Sequence, residues 1–61
     1  MKFKTFIDMY DNWNGTTCVN DDNLNCIVEG NTYDIANRKD LHDRYVVAFG
    51  FYDNTLTVRI K

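Results

Sequence analysis

Proline, serine and glutamine are missing from this 61-residue chain, and histidine and tryptophan occur once each. Without serine there is no Ser-His-Asp triad, and a Cys-His nucleophilic pair would need His42 beside Cys18 or Cys26. Nothing in their spacing brings them together, and His42, among Asp40, Asp43 and Arg44, reads as a solvated loop histidine. Glycine is confined to three isolated positions, Gly15, Gly30 and Gly50, so no glycine-rich loop is available to cradle a phosphate. Cys18 and Cys26 are the only thiols, and they lack the C-x2-C spacing of structural zinc sites. With one histidine they could not complete a tetrahedral site. The expectation is two small buried hydrophobes, reduced, with no metal and no cofactor; a Cys18–Cys26 disulfide is the less favoured alternative. These absences argue against an enzyme.

Long apolar runs are missing too, and none approaches the ~20 residues of a membrane span. Met1-Lys2-Phe3-Lys4 resembles a signal n-region only briefly, because Asp8 and Asp11 interrupt it. No membrane association is expected, and the cytoplasm is the expected location. Positive charge is sparse: the net charge is −2, and no basic run exceeds Arg38-Lys39. Affinity for a phosphate backbone comes from several cationic contacts that release counterions, so a nucleic-acid partner is not expected.

What is present suits one small domain spanning residues 1–61. A chain this short buries only roughly 60% of the surface its unfolded form exposes, so it depends on a dense core. Nine aromatics and a hydrophobic fraction of 44% supply that material. Asn and Asp contribute eight residues each, and their short side chains bond nearby backbone groups at turns and helix ends.

Phe3, Phe6, Ile7 and Tyr10 recur at the spacing of an amphipathic helix, and Trp13 extends the stripe by a turn. Asn12, Asn14 and Gly15 supply a stop. Lys2 and Lys4 oppose the helix dipole at one end, Asp8 and Asp11 at the other, so packing must hold this helix. Thr16 to Val19 reads as a strand, Asn20 to Asn23 as a turn, and Leu24 to Glu29 and Thr32 to Ala36 as two strands joined at Gly30-Asn31. A helical turn over Asp22 to Cys26 is the alternative there. Arg38 to Arg44 is a charged connector with a short helical turn around Leu41.

Tyr45 to Lys61 is the best-specified segment, an antiparallel hairpin. A two-residue loop at Asp53-Asn54 sets Phe51 opposite Leu56, Phe49 opposite Val58 and Val47 opposite Ile60, all apolar on one face. The other face carries Tyr52–Thr55, Gly50–Thr57 and Ala48–Arg59. The first hairpin strand is apolar on both faces and reads as central, or as a strand whose second face is covered; Leu56 to Lys61 alternates cleanly, as an edge can. The expected fold is α+β: an amino-terminal amphipathic helix packed on a small antiparallel sheet of four or five strands that ends in a carboxy-terminal β-hairpin.

Asn20-Asp21-Asp22-Asn23 evokes a calcium loop but has Asn25 and Asn31 where that loop needs Gly and Glu, so it reads as a turn. Asp8, Asp11, Asp21, Asp22 and Asp34 would make an acidic patch if helix end and turn adjoin, and such a patch can occupy a cationic groove by imitating phosphates. A scattered, solvated set is the more ordinary outcome. Trp13, Tyr33, Tyr45 and Tyr52 are of the types enriched at binding hot spots.

At Asp11-Asn12-Trp13-Asn14-Gly15, and again at Val47-Ala48-Phe49-Gly50-Phe51-Tyr52-Asp53, the chain resembles short accessory proteins carried by phages and conjugative elements. The resemblance implies a mobile-element protein, with anti-CRISPR-like or other anti-defence inhibitors as one class; these share no common fold, so no site residue carries over. The leading expectation is a non-catalytic protein-binding module, inhibiting a host defence or nucleic-acid enzyme. The alternative is a homo-oligomeric regulatory domain, a homodimer pairing through the edge at Leu56 to Lys61 and touching nucleic acid weakly through Arg38, Lys39, Arg44 and Arg59. The strip of Val46, Ala48 and Tyr52, with no obvious intramolecular cover, is the first candidate contact surface, alongside the five aspartates.

Overall fold

The computed structural model describes residues 1–61 as one α+β unit. In chain order the elements are α1 (Phe3–Asp8), β1 (Thr16–Asn20), β2 (Cys26–Asn31), α2 (Thr32–Ala36), a 3-10 turn (Lys39–Leu41), β3 (Val46–Tyr52) and β4 (Thr55–Ile60). The strands form one sheet in the order β2-β1-β4-β3.

The chain begins with a helix that has little intrinsic support. No side chain caps its start, no acidic residue lies in its first turn and no basic residue in its last. A Lys4–Asp8 ion pair at 2.8 Å links one turn. Phe3 and Ile7 are fully buried, so α1 is held by its apolar face, as the charge pattern requires. It ends a turn earlier than the aromatic stripe suggests. Trp13 lies beyond the helix, and its indole N–H reaches back to the Ile7 carbonyl at 3.1 Å, a second donor to an oxygen that also accepts the Tyr10 N–H.

β1 falls where its β-branched residues predict. The Asp21 carboxylate accepts the Asn23 and Asn25 N–H groups, both at 2.9 Å, and these bonds hold its pKa below the ordinary carboxylate value. Leu24 takes a positive φ of 67° in this turn and is exposed, so β2 starts at Cys26 rather than Leu24.

Thr32 to Ala36 is a helix, not the expected strand. Asn31 caps it by accepting the Asp34 N–H at 3.3 Å, and the Asn37 amide closes its other end on the Tyr33 carbonyl at 2.9 Å. Its buried residues are Thr32, Ile35 and Ala36, the i, i+3, i+4 set of a helical face. Five residues are too few for that period to be told from a strand's. Gly30 is an ordinary strand residue rather than a turn.

The final hairpin keeps its expected register from Ala48–Arg59 to Tyr52–Thr55, including Phe49–Val58 and Phe51–Leu56. Asp53 and Asn54 have φ of 51° and 63°, the positive pair of a two-residue hairpin turn. At the far end Ile60 pairs with Val46, and Val47 is left over as a bulge.

Two expectations about the sheet are corrected. It is mixed: β1 runs parallel to β4 and antiparallel to β2. And β4 is central while β3 is an edge, the reverse of the predicted assignment. The clean alternation of β4 reflects a strand covered on one face only; Leu56, Val58 and Ile60 lie under the helices, and Thr55, Thr57 and Arg59 face the open side. α2 carries the chain from one edge of the sheet towards the other, so both helices cover a single face. Phe3, Ile7, Val19, Ile35, Ala36, Leu41, Leu56, Val58 and Ile60 form the core between them.

Candidate interaction surface

An edge strand leaves one row of backbone N–H and C=O groups without partners inside the sheet. At the start of β3 the amino terminus covers that row: Val46 N–H donates to the Met1 carbonyl at 2.9 Å, and Lys2 bridges to Tyr45. Beyond this point β3 pairs only with β4, so the outer edge from Val47 to Tyr52 is free. Edge strands are ordinarily blunted by charge, proline or a bulge; this one carries no charge and no proline, and its bulge at Val47 lies at one end.

α2 packs on β2 and β1, and α1 alone reaches towards this edge without covering it. Phe49 and Phe51 point to the helix face, yet they are 66% and 56% exposed, and Met9 beside them is 64% exposed. Phe6 lies on Phe49 with ring centroids 4.9 Å apart, and Tyr10 on Phe51 at 6.1 Å. These five side chains with Gly50 and Leu56 line an open groove of about 280 Å³ that contains no charged group. A second apolar hollow runs from Met1 and Phe6 to Val46, Val47 and Phe49. The edge and the two hollows together form one apolar strip along β3.

The predicted strip of Val46, Ala48 and Tyr52 divides between two environments. Val46 and Ala48 are half-buried, and Val46 packs against the core. Tyr52 is 66% exposed, and its ring folds back over Gly50, 2.9 Å from where a Cβ would stand. Ala48 and Tyr52, with Asn20, Leu24, Thr57 and Arg59, line an open depression of mixed polar and apolar character. Phe6, Phe49 and Phe51 were not singled out from the sequence as surface, because their spacing and pairing marked them as core, and Met9 lies outside the apolar stripe. The absence of any charge across seven residues of β3 was the signal available.

The five aspartates are spread along the molecule. Asp21 and Asp22 lie in the turn beyond Asn20 and Cys26, at one end of the β1–β2 ladder; Asp34 follows its other end at Thr16 and Asn31. Asp8 is paired with Lys4, and Asp11 lies in the exposed loop after α1. The basic residues are largely engaged as well. Arg38 makes a two-pronged contact with Asp40 at 2.8 and 2.6 Å, which lowers the Asp40 pKa and raises that of Arg38. Arg44 donates to the Lys61 carbonyl at 3.1 Å, whereas Arg59 is half-buried in the sheet with its Nε lacking a partner.

His42 is not the solvated residue expected. It is half-buried, with Nε2 2.8 Å from the Ala36 carbonyl, and it ties the 3-10 turn to the end of α2. The cysteines are corrected too: Cys26 is exposed and Cys18 only half-buried, and both are free thiols. No helix is long and apolar enough to cross a membrane. Comparison with protein-family models, curated proteins and solved structures finds no match to this chain.

Proposed function

We propose that this chain is a non-catalytic protein-binding module that takes an extended apolar segment of a partner protein along the free edge of β3. One observation carries the reading: an uncharged edge strand, Val47 to Tyr52, lies beside an apolar groove whose walls, Phe49, Phe51 and Met9, are mostly in water. A strand added there would satisfy the open backbone groups, and its alternate side chains would enter the groove. Each large apolar side chain withdrawn from water contributes about 1.5–3 kcal/mol, enough for three of them to offset much of the cost of association. The resemblance to phage and conjugative-element proteins directs the search to bacterial defence and nucleic-acid enzymes as partners, with inhibition as the outcome of binding.

The test is affinity capture from bacterial lysate with the tagged chain and with Phe49→Asp, a substitution at a residue that is mostly exposed. The wild-type chain should retain a stoichiometric partner, and Phe49→Asp should lose it while keeping its circular dichroism spectrum. A partner retained equally by Phe49→Asp, or none at all, would overturn the reading.

The second reading is a homodimer, with two β3 strands pairing across a two-fold axis into one continuous sheet. The same uncharged edge favours it, at β3 rather than at Leu56 to Lys61. Light scattering decides it: a dimer that dissociates on Phe49→Asp supports this reading, and a monomer at high concentration removes it.

A further inference from the structure

We propose that Cys18, Cys26 and Glu29 form a binding site for a thiophilic divalent cation of the zinc class on the open face of the sheet. Glu29 sits directly opposite Cys18 in the β1–β2 ladder, so both side chains emerge on the same face. Cys26 joins them because of an irregularity. Val19 pairs with Val28, but Asn20 pairs with Cys26, leaving Ile27 as an extra residue in β2. Without that bulge Cys26 would face the core side; with it the thiol turns towards Cys18, the kind of re-aiming that bulges provide.

The resulting geometry suits a metal better than it suits two idle thiols. The two Sγ atoms are 3.8 Å apart. Two thiolates about 2.3 Å from a tetrahedral zinc ion stand about 3.8 Å from each other. A Glu29 carboxylate oxygen completes the set, with all three ligand atoms within 4.8 Å of one another. Glu29 has no other claim on it, because the ion pairs of the molecule join Lys2 to Asp43, Lys4 to Asp8 and Arg38 to Asp40. Asn20 lies at the rim; its Oδ1 is 3.4 Å from Cys18 Sγ, close enough for the amide to turn and donate to a bound thiolate.

Three potential anions converge here, which sets like charges close together; Arg59, opposite Asn20 in β4, shares the open face. A divalent ion between the three ligands offsets that repulsion. Binding breaks two S–H bonds and forms two metal–sulfur bonds; two protons pass to the buffer, and no electrons are transferred. Three protein ligands leave a fourth position to water or to a small ligand. The structure thus holds a cross-strand Cys-Glu pair and a bulge-directed second Cys, an arrangement that the spacing of the thiols in sequence does not reveal.

The test uses the reduced, metal-free chain with its free thiols counted beforehand. Titration with Co2+ should give a thiolate-to-cobalt charge-transfer band and the strong visible bands of tetrahedral coordination, saturating at one ion per chain. Zn2+ should displace the cobalt and raise the urea midpoint. Cys18→Ser and Cys26→Ser should each abolish the charge-transfer band, and Glu29→Gln should weaken binding by about tenfold or more. His42→Ala, remote from the site in the sheet, should leave the titration unchanged. The proposal is overturned if folded, reduced wild-type protein shows no such band. It is equally overturned if Cys26→Ser binds as wild type, or if the thiols oxidise to a disulfide under reductant before any metal is added.

Discussion

The hydroxyls of Thr17 and Thr32 meet 2.6 Å apart inside the core, and both residues are completely buried. Thr32 also donates to the Gly15 carbonyl at 3.0 Å, which uses its single proton. Thr17 must therefore be the donor to Thr32. This one-way chain joins β1, the start of α2 and the Gly15 turn.

The direction of that chain makes the two threonines unequal. Thr32→Val leaves the Thr17 proton buried without an acceptor and should cost about 1–3 kcal/mol, beyond any change in packing. Thr17→Val leaves Thr32 still bonded to Gly15 and should cost less. The double variant removes the orphan, so it should be no worse than Thr32→Val alone. Urea unfolding of the three proteins measures the order; additive losses would show that the hydroxyls are not coupled.

Trp13 serves α1 from outside the helix. Replacing it with Phe keeps an aromatic ring against Tyr33, now 6.0 Å away, but removes the N–H that bonds the Ile7 carbonyl. The expected loss is about 1 kcal/mol, read as a lower melting temperature. Amide exchange should accelerate most at Phe6 and Ile7, the last turn of the helix.

The Asp53-Asn54 turn holds two non-glycine residues at positive φ. Asn54→Gly should stabilise the protein by about 0.5 kcal/mol, because glycine takes that conformation without steric cost. Asn54→Val should destabilise it by about 1–2 kcal/mol. Equal stability of both variants would mean that the hairpin tolerates another turn.

Gly50 is the position where the Tyr52 ring closes on the backbone. An alanine there would collide only with the far end of a movable, exposed side chain. Gly50→Ala should therefore change stability by less than about 0.5 kcal/mol. The Tyr52 ring resonances should shift as the ring swings off the strand. A large loss of stability would show that this ring is locked in place.

The parts legible in the sequence were those governed by local periodicity. Alternation and turn chemistry specified the pairs from Ala48 to Tyr52, and the apolar stripe correctly gave Phe3 and Ile7 to the core. Alternation tells which side chains share a face but not which strand lies alongside, so the parallel β1–β4 pairing left no mark in either segment. The surface was misjudged for a related reason. Phe49 and Phe51 do face the same way as Val58 and Leu56, but two short helices cannot roof four strands, and the outermost rings stay wet. Bulges are equally silent, since an extra residue such as Ile27 or Val47 looks like any other strand residue until its partner is known. The grouping of Cys18, Cys26 and Glu29 depends on one of them.

The place of β4 between β1 and β3 also governs how the molecule can assemble. The β1–β2 hairpin forms from neighbouring residues, but its inner edge has no partner until Thr55 to Ile60 arrive beside Thr16 to Asn20. That pairing closes a loop of most of the chain, so its entropy must be spent before the central contacts can repay it. Folding should accordingly be slow for so small a protein and concerted in a single step, with neither hairpin persisting alone. During synthesis the first half of the chain waits, unfolded, for the last strand.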